Sequence, residues 1–450
     1  MGGSPDHTSG ARRPRVALVA LGCRVNRADV DALAGELGRT FDLAREGDVA
    51  DFVVVNTCAI TCDAESSARQ AIRRAAREHP GAPIVAAGCF AEVAPEELAA
   101  LPGVAAVVGA RSGDAVCAVL ERLLDGAGAV EAVRGAVGDA VGWGSAPVGP
   151  ARHTRPFLKV QDGCDQRCTY CVVPAARGAS RSLPFDEALR RIALLGVRHP
   201  EVVLTGVHLG AYGKDLAPRR SLAELVTAAV RAGAVRRLRL SSVEPNELPL
   251  ELLRDREVAA ALCPHFHLPL QSGAPRLLAA MRRPYAPALF RQVVEDVAAL
   301  APGACLGTDL LVGFPGETDD EHRATVALVE SLPLAYLHVF PFSPRPGTPA
   351  AALPERVPGL AVRERVRELL AVSDRKWRAY LGAQAGHEVE VVVERVDGGL
   401  ARGTARQWVT VRWPAAGDAR GAVARVRVEA SDGTECYGVR AATFEARLPP

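Results

Sequence analysis

Residues 163–171 read GCDQRCTYC, with Cys164, Cys168 and Cys171 spaced C-x3-C-x2-C. Such spacing gathers three thiolates on one loop. Thiolates favour soft centres, zinc or iron–sulfur clusters. An odd trio cannot pair within itself as disulfides. A closed zinc site normally takes four Cys/His ligands, and the nearest histidine, His153, lies eleven residues upstream. Three thiolates on a [4Fe–4S] cube leave one iron open to a small molecule. The run before the loop, FLKVQ (157–161), reads as a short strand. The cysteines therefore stand at the carboxyl end of a strand, where the chemistry of a (β/α) barrel is expected.

The barrel follows from what comes after. Further apolar runs are VVLTG (202–206), RLRLSS (237–242), HFHLPLQ (265–271), LGTDLLVGF (306–314) and YLHVFPF (336–342). Helical periods separate them, at 185–195, 222–232, 248–253, 288–300 and 320–332. Six strands alternating with helices predict a partial (β/α)6 barrel. Its strand ends are polar or rich in glycine. Thr205 and Gly206 close the second strand, the stretch from Ser241 to Glu244 and Pro245 closes the third, and Gln271-Ser272-Gly273 closes the fourth. Thr308-Asp309 and a turn bearing Gly313 and Gly316 belong to the fifth. Glycines admit a ligand close to the backbone, while hydroxyls, Gln and carboxylates suit ribose, an amine and a carboxylate. Together they predict a nucleoside-like ligand. Tyr170, inside the cysteine loop, is placed to pack on its base or serves simply as a loop aromatic.

Upstream, strands RVALVALG (15–22), DFVVVNT (51–57), APIVAAG (82–88) and VAAVVG (104–109) alternate with helices near 30–37, 64–78, 95–101 and 114–124, with Thr61 or Asp63 as a cap. This predicts an open parallel α/β sheet. Cys23, Cys58 and Cys89 follow its first three strands. Carboxyl ends of parallel strands share one edge, where ligands bind. Three thiols from three loops thus converge there, predicting a second metal or cluster site. Cys62, at C-x3-C from Cys58, competes as a ligand. Cys117, mid-helix, reads as core.

The expected fold class is α/β: a tail at 1–13, an open parallel sheet at 14–125, a Gly/Ala/Pro-rich linker at 126–152, the barrel domain at 153–382, and a small antiparallel β-barrel at 383–450. The last rests on two-residue periods in GHEVEVVVERV, WVTVRWP and GAVARVRVEAS. A basic amphipathic helix at 359–381 precedes it.

Formal net charge is +2, so no overall field announces nucleic acid. Local excesses occur at 152–191 and in helix 359–381, and Trp408 and Trp413 are candidates for stacking on bases. There is no signal peptide and no run long enough to cross a membrane. Eleven cysteines without an export signal imply reduced thiols in the cytoplasm.

GCDQRCTYC, with FLKVQD before it and RGASRS after it, resembles the radical S-adenosylmethionine signature of the methylthiotransferases. LGCRVN, VVNTCAIT and AAGCFAE resemble that family's N-terminal domain. TGVHLGAYG, LRLSSVEP, HLPLQSG, TDLLVGFPGET and HVFPFSPRPGTPA match as well, and the C-terminal barrel resembles a TRAM domain. The similarity spans roughly residues 14–445. GCRVN and VQDGCDQRCTYCVVP are most similar to the branch that modifies N6-threonylcarbamoyladenosine in tRNA.

The resemblance implies two [4Fe–4S] clusters: one on Cys164, Cys168 and Cys171 that binds S-adenosylmethionine, and an auxiliary one on Cys23, Cys58 and Cys89. It implies a 5′-deoxyadenosyl radical that takes hydrogen from C2 of the modified adenosine at position 37 of the tRNA anticodon loop. A second S-adenosylmethionine supplies the methyl group. It also implies a low-potential electron donor such as flavodoxin or ferredoxin, and a monomer. An unactivated C–H explains why no Ser/His/Asp set appears. Alternatives are isopentenyladenosine in tRNA or a ribosomal-protein aspartate as substrate, a non-catalytic electron carrier, and a pure RNA-binding module.

Overall fold

The computed structural model describes residues 12–45, 47–110, 115–126 and 153–441. The chain divides into two compact units, Met1–Pro150 and Ala151–Pro450. Most of the predicted tail (1–11), nearly all of the predicted linker (127–152) and residues 442–450 lie outside the described residues. The last two tail residues are held. Arg12 pairs with Asp51 at 2.9 Å, and Arg13 donates to the Gly38 carbonyl at 3.0 Å.

The first unit is a parallel sheet of β1 (Arg15–Ala20), β2 (Asp42–Leu43), β3 (Phe52–Thr57), β4 (Ile84–Gly88) and β5 (Val104–Gly109), in the order β2-β1-β3-β4-β5. β2 spans two residues, too few for any period to show. β3 and β4 are buried throughout, as expected when helices cover both faces of a parallel sheet. Helix Cys62–Glu78 starts where Thr61 accepts the Ala64 N–H at 3.1 Å. It buries Ala68, Ile72 and Ala75, one stripe at helical spacing. Strand order reverses between β1 and β3, which opens a crevice at their carboxyl ends.

In the second unit, β6 (Phe157–Asp162), β8 (Val202–Gly206) and β9 (Leu238–Leu240) run parallel, and so do β10 (His265–His267), β11 (Cys305–Val312) and β12 (Tyr336–Pro341). The two sets join where Cys263 N donates to Leu238 O at 2.7 Å and Val243 N to His267 O at 3.1 Å. Six parallel strands thus form the partial barrel, with β12 at one edge. An unanticipated antiparallel strand, β7 (Arg181–Ser182), pairs with the end of β6 as the cysteine loop returns. The helix expected at 248–253 is two, Glu251–Arg254 and Arg256–Ala261. Asp255 interrupts it by capping the second with Glu257 and Val258 N–H groups. A short helix, Pro275–Ala280, was also not anticipated.

Helix Gly359–Gly382 packs along β12, with Ser373 Oγ accepting from Leu337 N at 2.9 Å. It leads into a closed five-stranded barrel of β13 (Glu388–Asp397), β14 (Leu400–Ala405), β15 (Thr410–Pro414), β16 (Val423–Ser431) and β17 (Cys436–Arg440). All its pairings are antiparallel except β15 with β17. Alternate valines and Trp413 fill its core.

Both tryptophans are engaged within the protein. Trp413 is 1% exposed, and its indole N–H donates to Asp418 at 3.0 Å. Trp408 stacks on His265 at 4.6 Å, with Arg155 and Arg239 over its ring. Arg239 also ties the two barrels together. It pairs with buried Glu201 at 2.7 Å and donates to Arg406 O at 3.0 Å. The local basic excesses are mostly tied up too. Lys159, Arg177 and Arg181 surround Asp162, Arg190 and Arg191 meet Glu187, and Arg365 pairs with Glu317 and Asp319. Among the described residues, no helix is long and apolar enough to cross a membrane.

Candidate metal and cofactor sites

In the first unit the fold brings the three cysteines to the crevice. Cys23 follows β1, Cys58 follows β3, and Cys89 opens the short helix after β4. Asn26 sits among them, fully buried. Its Nδ2 donates to the carbonyls of Leu21 and Thr57, both at 2.9 Å, which fixes the amide's orientation. Its Oδ1 then lies 3.9 Å from Cys23 Sγ and 3.8 Å from Cys89 Sγ. Cys58 closes the third side. A Cβ at Gly22 would fall 2.8 Å from Cys58 Sγ, so only glycine lets the first loop approach the second. The buried Asn56 Oδ1 has no hydrogen-bond partner among the described residues. Three thiols and two amides, with no charged side chain in these contacts, are a donor set that fits a cluster held by thiolates. Cys62 is exposed at the first residue of its helix, and Cys117 packs at the edge of the sheet's core.

In the second unit the trio sits on one loop, and the loop is pinned at both ends. Asp162 accepts the Gly163 N–H at 2.8 Å. Burial works to raise the Asp162 carboxyl, but Lys159, Arg177 and Arg181 outweigh it and hold it far below the usual carboxylate range. Gly163 takes φ +69°, and a Cβ there would strike the Ala179 carbonyl at 1.9 Å. Gln161 donates from Nε2 to the carbonyls of Asp162 and Gly163, while its Oε1 accepts the His208 N–H at 2.6 Å. Across the loop, Thr169 N–H donates to Met281 O at 3.2 Å and its hydroxyl to Ala280 O at 2.9 Å.

The sulfurs meet cations. Arg283 Nη1 lies 3.5 Å from Cys168 Sγ, and Arg283 also pairs with Glu244. His208 stands between Cys164 Sγ, at 3.8 Å from its Nδ1, and Glu247, at 2.5 Å from its Nε2. Although burial opposes it, bonds to Cys164 and Glu247 push His208 up to about 9. Burial, helped by the charge of the neighbouring sulfurs, pushes the Cys171 thiol up to about 12. A dry pocket therefore resists bare thiolates at Cys171 and at Cys168, whose thiol burial also raises. A cationic cluster removes that penalty by replacing their protons. The donor set fits an iron–sulfur cluster.

The expected cofactor residues are divided. Gly206 packs against Gln161, and Thr205 is buried beside it. Glu244 reaches Cys168 through Arg283. Ser241 is buried, and its Oγ has no partner among the described residues. Gln271 takes φ 71° and bonds to β11 through its backbone. Gly313 and Gly316 shape a turn facing Val362 and Glu355. What links that turn to the loop is Phe314, which shares an apolar cluster with Tyr170 and Leu277. Asn26, Gln161, His208, Glu247 and Arg283 were not singled out from sequence. The first three stand beside a cysteine or at a strand end, which is a usable signal, whereas Glu247 lies seven residues beyond β9. Arg283, in RRPY, carried none.

Comparison with protein families matches residues 15–109 to an uncharacterized protein family, UPF0004, and residues 158–329 to the radical SAM superfamily. The chain is 36% identical to the threonylcarbamoyladenosine tRNA methylthiotransferase MtaB of Aquifex aeolicus, over 84% of this chain and 92% of that protein. It is 33% identical to MtaB of Bacillus subtilis, over 84% of each. It is also 35% identical to a tRNA-2-methylthio-N(6)-dimethylallyladenosine synthase of Novosphingobium aromaticivorans, over 84% of this chain and 86% of that protein. Among solved structures, the radical S-adenosylmethionine methyltransferase TsrM of Kitasatospora setae superposes with a TM-score of 0.56 at 18% identity, covering 76% of this chain and 77% of that one. That likeness speaks to the fold alone.

Proposed function

This chain belongs to the radical S-adenosylmethionine methylthiotransferases, and on that premise we propose that it converts N6-threonylcarbamoyladenosine at position 37 of tRNA to its 2-methylthio derivative. The observation that carries the reading is the pair of cysteine trios. One is gathered by three strand ends, the other by a single loop. We assign Cys164, Cys168 and Cys171 to a [4Fe–4S] cluster that binds S-adenosylmethionine, and Cys23, Cys58 and Cys89 to an auxiliary one. When bound, cluster and S-adenosylmethionine supply a carbon radical able to take hydrogen from an unactivated C–H bond. An external low-potential donor such as flavodoxin or ferredoxin delivers the electron, and a second S-adenosylmethionine provides the methyl group.

The protein's own residues bind and orient. Arg283 places a positive charge beside Cys168 and fixes Glu244, while His208 does the same between Cys164 and Glu247. Ser241 and Glu244, with Thr205 and Gly206, are the proposed contacts for the polar end of S-adenosylmethionine. Gln271, Gly313 and Gly316 shape the surrounding turns. Tyr170, packed with Phe314 and Leu277, forms a wall for the adenine. Reaching the base at position 37 requires unstacking it, which costs a few kcal/mol in a loop.

A second reading, the dimethylallyl-bearing adenosine, is favoured by the relative from Novosphingobium aromaticivorans. Nucleoside mass spectrometry on tRNA from a deletion strain separates the two. Loss of the 2-methylthio group from threonylcarbamoyladenosine supports the proposal, and its persistence with loss from the prenylated nucleoside contradicts it.

A further inference from the structure

A polar cluster on the inner face of β10–β12 has no role in the reading above. The register sets Asp309 level with His338, and His267 level with Gly307. Alternation puts Gly307, Asp309 and Leu311 on one face of β11. Leu311 packs in the apolar cluster that contains Tyr170 of the cysteine loop. Asp309 therefore lies one strand repeat, about 6.7 Å, from a residue packed with that loop.

Asp309 Oδ1 accepts from His267 Nε2 at 2.8 Å and from His338 Nδ1 at 3.2 Å. His267 Nδ1 lies 3.0 Å from the Tyr336 hydroxyl, which is 2.9 Å from His265 Nε2. Gly307 makes room for the Tyr336 ring, since a Cβ there would sit 2.1 Å from it. Burial works to raise the Asp309 carboxyl, but the two imidazoles outweigh it and keep it ionised. The other oxygen, Oδ2, makes no hydrogen bond among the described residues. His338 and Phe340 stand on the edge strand, 53% and 42% exposed, so the cluster opens to the outside there.

We infer that this face is the sub-site for the N6 substituent of the substrate adenosine, and that it selects a carbamoyl group over a prenyl chain. The inference rests on the proposed methylthiolation of an N6-modified adenosine. A carbamoyl link at N6 is a urea, with two N–H donors flanking one carbonyl. Asp309 Oδ2 accepts those N–H groups, and His338 faces the carbonyl and the substituent's own carboxylate. Phe340 offers a flat apolar edge for the base. A prenyl chain offers no donor to Asp309 Oδ2, so it would cover that oxygen of an ionised carboxylate without pairing it, and a site built for hydrogen bonds rejects such an analogue strongly.

The test uses the full chain with its clusters reconstituted, and two tRNAs differing only in a threonylcarbamoyl or dimethylallyl group on adenosine 37. Wild type should favour the threonylcarbamoyl tRNA. His338→Leu, at an exposed position, should lower the ratio of the two kcat/KM values at least ~10-fold, mainly through KM, with His338→Gln restoring part of it. An unchanged ratio in His338→Leu and in Asp309→Asn overturns the sub-site. Wild-type action on the prenylated tRNA alone overturns its selectivity while methylthiolation stands. Action on neither tRNA removes the methylthiolation reading and the sub-site with it. The three ligand atoms of His267, Asp309 and His338 also lie within 4.8 Å of one another. A zinc ion lost in His338→Leu without a change in selectivity would assign the cluster to a metal and overturn the sub-site.

Discussion

The two cysteine trios reach the same stoichiometry by opposite routes. Cys164, Cys168 and Cys171 are local, held by one loop between β6 and β7. Cys23, Cys58 and Cys89 come from three loops and meet only because a parallel sheet aligns its strand ends. Their surroundings differ as well. Arg283 and His208 approach the sulfurs of the loop, whereas Asn26, a neutral amide, faces those of the crevice. Arg283 and His208 thus give the loop positive charge that the contacts of the crevice do not show.

That comparison breaks or sharpens in a definite order. The largest effect belongs to Cys168→Ala, which should abolish reductive cleavage of S-adenosylmethionine, read as 5′-deoxyadenosine formed. Cys58→Ala should keep cleavage and lose the 2-methylthio product. Equal loss of cleavage in both variants would merge the two sites. Next comes Arg283→Met. Removing one partner of the buried pair with Glu244 should destabilise the second unit by about 3–5 kcal/mol, visible as a lowered unfolding midpoint, while the first unit's midpoint stays put.

A smaller, pH-dependent effect is expected at the junction of the two barrels. Burial works to raise Glu201, yet Arg239, Arg237 and Arg155 hold it at about 2. A carboxyl lowered in the folded state stabilises fully above its unfolded value of 4.5 and loses that contribution as pH falls toward 2. Roughly 3 kcal/mol should disappear across that window. Denaturation midpoints of Glu201→Gln that track wild type through it would show that the Glu201 carboxylate contributes nothing. The smallest effect is Cys62→Ala, at an exposed helix start. Iron content and product should match wild type, and loss of iron would make Cys62 a ligand.

Much of this was legible in the chain. The strands that carry the two sites announced themselves as apolar runs, unlike the two-residue β2 and β7, and each cysteine of the crevice could be placed because it follows such a run. What stayed hidden was carried by groups whose partners are far off in sequence. Asp162 reads as an ordinary acid until Lys159, Arg177 and Arg181 close on it. Arg283 meets Cys168 across 115 residues. Trp413 looks like a base platform because a period of two cannot tell an outward ring from one turned inward, and Trp408, in the turn between β14 and β15, meets His265 across more than a hundred residues. The polar face of His267, Asp309 and His338 needs the register of three strands before it exists at all.

The most direct test is an iron count with Mössbauer spectra on anaerobically reconstituted protein, in wild type and in variants with either trio changed to alanine. Two cubes predict about eight irons per chain in wild type and about four in each variant, with the two residual spectra distinct. About four irons in wild type, undiminished when Cys23, Cys58 and Cys89 are replaced, would contradict the account.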